Sequence, residues 1–297
     1  MTVALVTGAS GFIGRALAAS LVAYGQEVYS VTGGNGNVPP GIPIYRGLYG
    51  ISPDDLPKKI DVCYHLAALN DTRGEDAGAY DRINVADTMR LMDQVISRGC
   101  PQFVYASSTA VYGDAPAPYV EGVTPVGTCN LYGQSKLNME RAVQQVAENH
   151  GINAVGLRLC NTYGPGESHK GLRASMVHQL LKTKLRGETP KLFEDGSQQR
   201  DWLHVDDAVQ AFHRAGFHQM SDIFNIGSGV ATSFRDLAIM IFGNDWEVEW
   251  IPNPYGRNYQ AFTLCNISKA RQKMAYKPIR RLKENLPVYL EWLTQHG

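Results

Sequence analysis

Apolar and polar positions alternate between two rhythms along the first half of this chain. The run TVALVT (residues 2–7) is short, β-rich and free of charge, whereas Phe12 to Tyr24 spaces its apolar residues as a helix does. EVYSV (27–31) returns to the strand habit. The swing repeats: DVCYHLA (61–67), QFVYAS (102–107) and NAVGLRL (153–159) read as strands, with helical stretches near 76–98 and 130–149. Strands apolar throughout are buried on both faces. Their alternation with helices predicts an α/β fold with a doubly wound parallel sheet built from βαβ units.

After Arg158 the pattern loosens. A loop at 161–171 leads to a helix near 172–186, RDWLHV (200–205) reads as a strand, and a helix starts at Asp206–Asp207, whose carboxylates suit its first turn. DIFNIG (222–227) is a further strand, and the tail from about 228 mixes short helices with VEWIP. These breaks predict a nucleotide-binding domain from residues 1–162 and about 202–227. A smaller α+β C-terminal lobe takes about 163–201 and 228–297.

Charge and cysteine usage remove several function classes. In 297 residues, 28 Lys+Arg balance 28 Asp+Glu with no basic block, so no nucleic-acid partner is expected. The cysteines, Cys63, Cys100, Cys129, Cys160 and Cys265, are odd in number and form no CxxC, which reads as reduced intracellular thiols. The eight histidines show no HExxH or His/Cys cluster, so no metal is expected. The first strand pattern begins at Thr2, leaving no room for a signal peptide, and no apolar run nears the roughly 18 residues of a membrane span. The expectation is a soluble cytoplasmic protein.

TGASGFIG (7–14) supplies the first chemistry. Gly8, Gly11 and Gly14 follow a strand and open a helix, which lets backbone approach a pyrophosphate at a helix N-terminus. That points to a dinucleotide. About 20 residues on, NAD enzymes place an acid for the ribose hydroxyls; here stands Thr32, followed by GGNGN. An acid would repel a 2′-phosphate, so its absence favours NADP over NAD.

YASSTAVYG (105–113) and YGQSK (132–136) supply the second. Tyr132 and Lys136 share one helical face. An ammonium nearby lowers a phenol's pKa, and the phenol can then exchange a proton with a sugar hydroxyl, with Ser108 bonding the same oxygen.

With these motifs in place, the sequence resembles the extended short-chain dehydrogenase/reductase family over essentially its whole length. HLAA (65–68), LRLCNTYGPG (157–166), RDWLHVDDA (200–208) and FNIGSG (224–229) look like its nucleotide-sugar members. The resemblance implies a Rossmann domain with a substrate lobe, and Ser108, Tyr132 and Lys136 as catalytic residues. It implies a cofactor site of Gly8, Ser10, Gly11, Phe12, Ile13, Gly14, Thr32, Leu66, Ala67 and Ala68, with Tyr132 and Lys136. It also implies substrate contacts at Ser108, Asn161, His169, Arg200, Arg257 and Tyr259, Arg257 suiting a diphosphate through charge-assisted bonds. The partner is a nucleotide sugar, and family members pair through two helices, so Leu91, Val95, Val143 and Val146 are read as a homodimer face.

Sugar 4,6-dehydratases carry an Asp-Glu pair where Thr109 and Ala110 stand, which argues against dehydration. HKG (169–171), GETPKLFE (187–194) and RNYQAFT (257–263) resemble the ADP-glycero-manno-heptose 6-epimerases, although Gly166 replaces their usual Arg and Thr32 their acid. Inverting an exocyclic carbon through a ketone turns the carbonyl away from Tyr132 and calls for a second proton donor. The resemblance assigns that part to Lys170. The alternatives are a UDP-hexose 4-epimerase, a keto-sugar reductase, and a dinucleotide-binding regulatory protein without chemistry.

Overall fold

The structure is a computed structural model and describes residues 1–33, 37–46, 55–253 and 260–296. Its centre is a seven-stranded, all-parallel sheet. The strands are β1 (Val3–Thr7), β2 (Glu27–Thr32), β3 (Ile44–Arg46), β4 (Val62–His65), β5 (Gln102–Ser108), β6 (Asn153–Leu159) and β10 (Asp222–Ile226). They lie in the order β10-β6-β5-β4-β1-β2-β3. The order reverses between β1 and β4, and that switch point is where such sheets open a crevice for ligands. The Rossmann-type architecture expected from the alternating pattern is therefore present.

Helices cover both faces. One side carries α1 (Phe12–Ala23), α6 (Val205–Gly216) and α8 (Ser268–Met274), over a core that includes Val6, Leu17, Val104, Val155 and Phe212. The other carries α3 (Asp87–Ser97) and α4 (Leu131–His150), over Leu5, Leu91, Val95, Phe103 and Val143. The stretch near 76–98 is one continuous rod: α2 (Ala77–Tyr80) passes through a π-helical turn (Asp81–Ala86) into α3. Asn130 caps α4, its Oδ1 accepting from Gly133 N at 2.8 Å, and Gly151 closes it in the left-handed region.

This burial corrects one expectation. Leu91, Val95 and Val143 are fully buried under the sheet and Val146 packs against the same cluster. Leu91, Val95 and Val143 are the protomer's own core and offer no pairing face, while Val146 stays partly exposed.

The smaller lobe has its own core of Val177, Leu181, Trp202, Phe234, Leu237 and Tyr289, between α5 (Met176–Arg186), α7 (Phe234–Phe242) and α9 (Leu282–His296). A three-stranded sheet joins β7 (Asn161–Tyr163), β9 (Gln199–His204) and β11 (Ala231–Ser233), and β8 (Lys191–Phe193) pairs with β12 (Glu249–Ile251). The helix expected from about 172 begins at Met176. Gly171, at φ 55°, breaks the preceding 3-10 turn, and the Ser175 hydroxyl restarts the chain as the cap of α5. Asp206 and Asp207 lie in the first turn of α6, where Asp207 also accepts from Ile279 N and Arg280 N and so anchors the C-terminal segment. No helix among the described residues is long and apolar enough to cross a membrane.

Candidate active site

The glycine loop leaves β1 at Thr7. Gly8 adopts φ 72°, and a Cβ there would come within 2.8 Å of Ala67 N. A Cβ on Gly14 would come within 2.2 Å of Gly8 O. The three glycines thus form a cradle that any side chain would fill. Gly11 caps α1 without a side-chain bond, and the first turn holds no acid, so nothing in the helix's own first turn competes with an anion for its N-terminal N–H groups. Ser10 Oγ and Thr32 Oγ1 lie 2.8 Å apart, joining the loop to the end of β2. Phe12 and Ile13 open the helix, and Leu66, Ala67 and Ala68 leave β4 across the switch point. The residues expected around a dinucleotide are brought together, and their geometry fits one.

A buried chain of hydrogen bonds ties this loop to α4. Thr7 Oγ1 accepts from Leu66 N at 3.2 Å and Ala67 N at 3.1 Å, so its proton goes to His65 Nδ1 at 2.8 Å. His65 must then carry its proton on Nε2 and donate to Thr88 Oγ1 at 2.9 Å, and Thr88 donates on to Asn84 O. Burial pushes His65 down to about 3, which keeps it neutral. From the π-turn, Asn84 Nδ2 reaches Ser135 Oγ at 2.8 Å, and Ser135 donates to Tyr132 O. Sequence reasoning singled out HLAA but missed Thr88, Asn84 and Ser135, which carry no motif of their own.

Ser108 ends β5, and its Oγ accepts from Ala110 N at 3.1 Å. Gly133 lets α4 close on this turn, since a Cβ there would sit 2.7 Å from Ala110 O. Ser108 and the half-buried Tyr132 therefore face each other. Lys136 is 2 % exposed, donates to Ala106 O at 2.8 Å, and lies 5.9 Å from the centre of the Tyr132 ring. Burial brings it down to about 8, against the pull of Glu140. The expectation that Lys136 lowers the phenol is not met in this geometry. Burial pushes Tyr132 up to about 12, and the group opposing that rise is the Ser108 hydroxyl. Glu140 is itself gripped by Arg158, at 2.9 and 2.7 Å, and by Ser107 at 2.5 Å. Its spacing of four from Lys136 was the available signal.

On the lobe side, Glu167 organises the loop bearing His169 and Lys170. Fully buried, it accepts from Gly164 N, Ser175 N, Ser175 Oγ and Tyr289, and from Lys170 Nζ at 3.1 Å. Lys170 is carried onto the glycine loop, its Nζ 5.0 Å from the Phe12 ring centre. His169 is exposed and turned back, Nδ1 donating to Gly166 O at 3.0 Å. Asn161 Oδ1 accepts from Thr263 Oγ1, and buried Arg200 donates to Gln199 O and Ala261 O while lying over Phe234. Asp201 takes four bonds, from Ser228 N, Ser228 Oγ, Gly229 N and Cys265 N. Arg257 and Tyr259 lie outside the described residues.

The glycine cradle beside the switch point and the Ser-Tyr-Lys cluster are the arrangement of a dinucleotide-dependent enzyme of the extended short-chain dehydrogenase/reductase type. The chain belongs to the NAD dependent epimerase/dehydratase family, whose model matches residues 4–227, in its nucleotide-sugar epimerase branch. It is similar to ADP-L-glycero-D-manno-heptose-6-epimerase of Helicobacter pylori, with 28% identity and a TM-score of 0.88 over 99% of this chain and 96% of that one. MoeE5 in complex with UDP-glucose and NAD is 30% identical, with a TM-score of 0.87 over 99% of each chain. UDP-glucose 4-epimerase of Thermotoga maritima is 25% identical, with a TM-score of 0.87 over 99% of each. The preference for NADP finds no support here. Losing the acid at Thr32 removes a repulsion but supplies no contact to a 2′-phosphate.

Proposed function

We propose that the chain epimerises a nucleotide sugar of the ADP-glycero-manno-heptose kind at an exocyclic carbon, using NAD. The observation that carries the reading is the pairing of two proton-handling groups with the cofactor loop: Tyr132 from α4, and Lys170 from the lobe, held by Glu167 beside Phe12. Similarity to the Helicobacter enzyme supports the substrate class, and NAD in the MoeE5 complex supports the cofactor. Thr109 is buried and bonded to Leu159 O, and Ala110 has no acid to offer, so the cluster lacks the group that would expel water.

When bound, the nicotinamide supplies reversible two-electron oxidation of the sugar carbon. Tyr132 takes the hydroxyl proton as the carbonyl forms, with Ser108 bonding the same oxygen. Lys136, charged below about pH 8, is bonded to Ala106 O with its Nζ 5.9 Å from the ring centre, and has to leave that carbonyl to meet the phenolate once the proton has moved. Once the carbonyl has turned over, Lys170 returns a proton on the other side. Arg200, Asn161 and Arg257 hold the nucleotide end. Dimerisation, if it uses α3 and α4, has to engage their outer polar residues such as Asp93 and Arg141, which light scattering on Arg141→Glu tests.

The deciding experiment is incubation with ADP-heptose and UDP-hexose epimers, with products resolved by NMR. Inversion of the heptose, lost in Lys170→Met, is the expected result. If Lys170→Met turns over normally and UDP-hexoses are inverted instead, the enzyme is a 4-epimerase that needs only Tyr132. That second reading is favoured by the similarity to UDP-glucose 4-epimerase of Thermotoga maritima.

A further inference from the structure

Cys160 and Cys265 come from segments 105 residues apart, yet their sulfurs lie 2.7 Å from one another. That is well inside the distance at which non-bonded sulfurs pack. Both are buried, at 4 and 2 % exposure. Neither can easily retreat. Cys160 N donates to Ile226 O at 2.9 Å, at the end of β6. Cys265 is pinned on both sides: Tyr119 N donates to Leu264 O at 2.8 Å, Asn266 N donates to Tyr119 O at 2.9 Å, and Cys265 N donates to Asp201. Gly227 closes the remaining side, where a Cβ would already be 3.0 Å from the Cys160 sulfur.

Other thiols in the chain are differently placed. Cys100 donates to Gln102 O at 3.2 Å, and Cys129 to Asp114 Oδ1 at 2.8 Å. An ion is the competing explanation, since Asp201 and the two sulfurs offer ligand atoms within 4.8 Å of one another. Asp201, however, already receives four donors, and they take up the lone pairs a cation would need.

We propose that Cys160 and Cys265 form a reversible disulfide that staples the substrate wall to the central sheet. The oxidant is a hydroperoxide. One thiolate attacks its oxygen, an S–O bond forms, the O–O bond breaks, and the departing hydroxide leaves as water with the first thiol's proton. The second sulfur then attacks the resulting sulfenic sulfur, the S–S bond forms, and the S–O bond breaks. The oxygen leaves as a second water with the second thiol's proton. Two thiols and one peroxide thus give one disulfide and two waters, the sulfurs losing the two electrons that the peroxide gains.

The position of the staple gives it a consequence. Asn161 follows Cys160 and bonds Thr263, and Ala261 holds Arg200, so the link falls between the two strips that carry the expected nucleotide-sugar contacts. It closes a long loop and restrains the unfolded chain accordingly. Burial holds both thiols up, so the reaction is slow in the native protein.

The test uses the full-length protein, reduced, freed of reductant and incubated for hours with hydrogen peroxide. It is then denatured and alkylated. Two of the five thiols should resist alkylation, and a peptide pair joining Cys160 to Cys265 should appear. The Tm should rise by several degrees and fall back with dithiothreitol. Hydrogen exchange across 260–267 should slow, and C160A/C265A should show none of these changes. Five alkylated thiols after oxidation would overturn the proposal. So would a link through any other cysteine, a sulfinic acid at Cys160 without a link, or stoichiometric zinc in the isolated protein.

Discussion

Replacing Lys136 by methionine separates what the site costs the fold from what it does for the reaction. Burial lowers this ammonium from 10.5 to about 8. At ~1.36 kcal/mol per pKa unit, holding it charged at pH 7 costs the folded state about 3 kcal/mol. Methionine fills a similar volume without the charge. It forfeits the bond to Ala106 O, a loss of about 1–2 kcal/mol. The expected net is a variant about 1–2 kcal/mol more stable at pH 7, or about 2–5 °C in Tm, with turnover abolished. The pH dependence gives the sign. The folded pKa lies below the unfolded one, so between about pH 8 and 10.5 the unfolded wild type binds more protons, and wild-type stability rises with pH. The advantage of Lys136→Met should therefore shrink by about 2 kcal/mol between pH 7 and 9.5. Chemical denaturation of both proteins at the two pH values measures this. A variant less stable than wild type at pH 7, or a gap that ignores pH, would refute the reasoning.

Three further outcomes follow from the same geometry. Tyr132→Phe keeps the ring and loses the proton carrier, so turnover should fall roughly 10²-fold or more with NAD affinity retained by calorimetry; near-normal turnover would dismiss the assignment. Gly14→Ala drives a Cβ into Gly8 O and should weaken NAD binding by roughly 10–10²-fold, the effect of about 1–3 kcal/mol of overpacking, while Gly127→Ala, which meets open space, should bind normally. Glu140→Gln strands buried Arg158 and should cost about 3–5 kcal/mol in stability. It also removes the charge that holds Lys136 up, so the alkaline limb of the pH–rate profile should move to lower pH; an unmoved limb would show that Lys136 is not the group titrating.

Much of this was legible in the chain, and the exceptions have physical reasons. The βαβ alternation and the 7–14 loop announced themselves because their chemistry is local: glycines where backbone must approach, apolar runs where both faces are covered. Three-residue strands such as β7, β8 and β11 are too short to show alternation. Leu91, Val95 and Val143 misled because a helix that packs on a sheet and on a second helix is apolar over more than one face without any partner protein. Lys136 and Tyr132 were found by spacing, but spacing says nothing of desolvation, and desolvation decides both their pKa values here. The pairing of Cys160 with Cys265, and the gathering of five donors around Glu167, exist only once distant segments meet.

The Thr7–His65–Thr88–Asn84 chain has one further bearing. With every donor and acceptor committed, it admits a single arrangement of protons, and its histidine stays neutral down to about pH 3. The linkage between cofactor loop and catalytic helix is therefore indifferent to acidity across the working range. A rate profile recorded against pH on this enzyme can be read as a titration of the groups that exchange protons with the substrate, free of interference from a scaffold that changes shape underneath them.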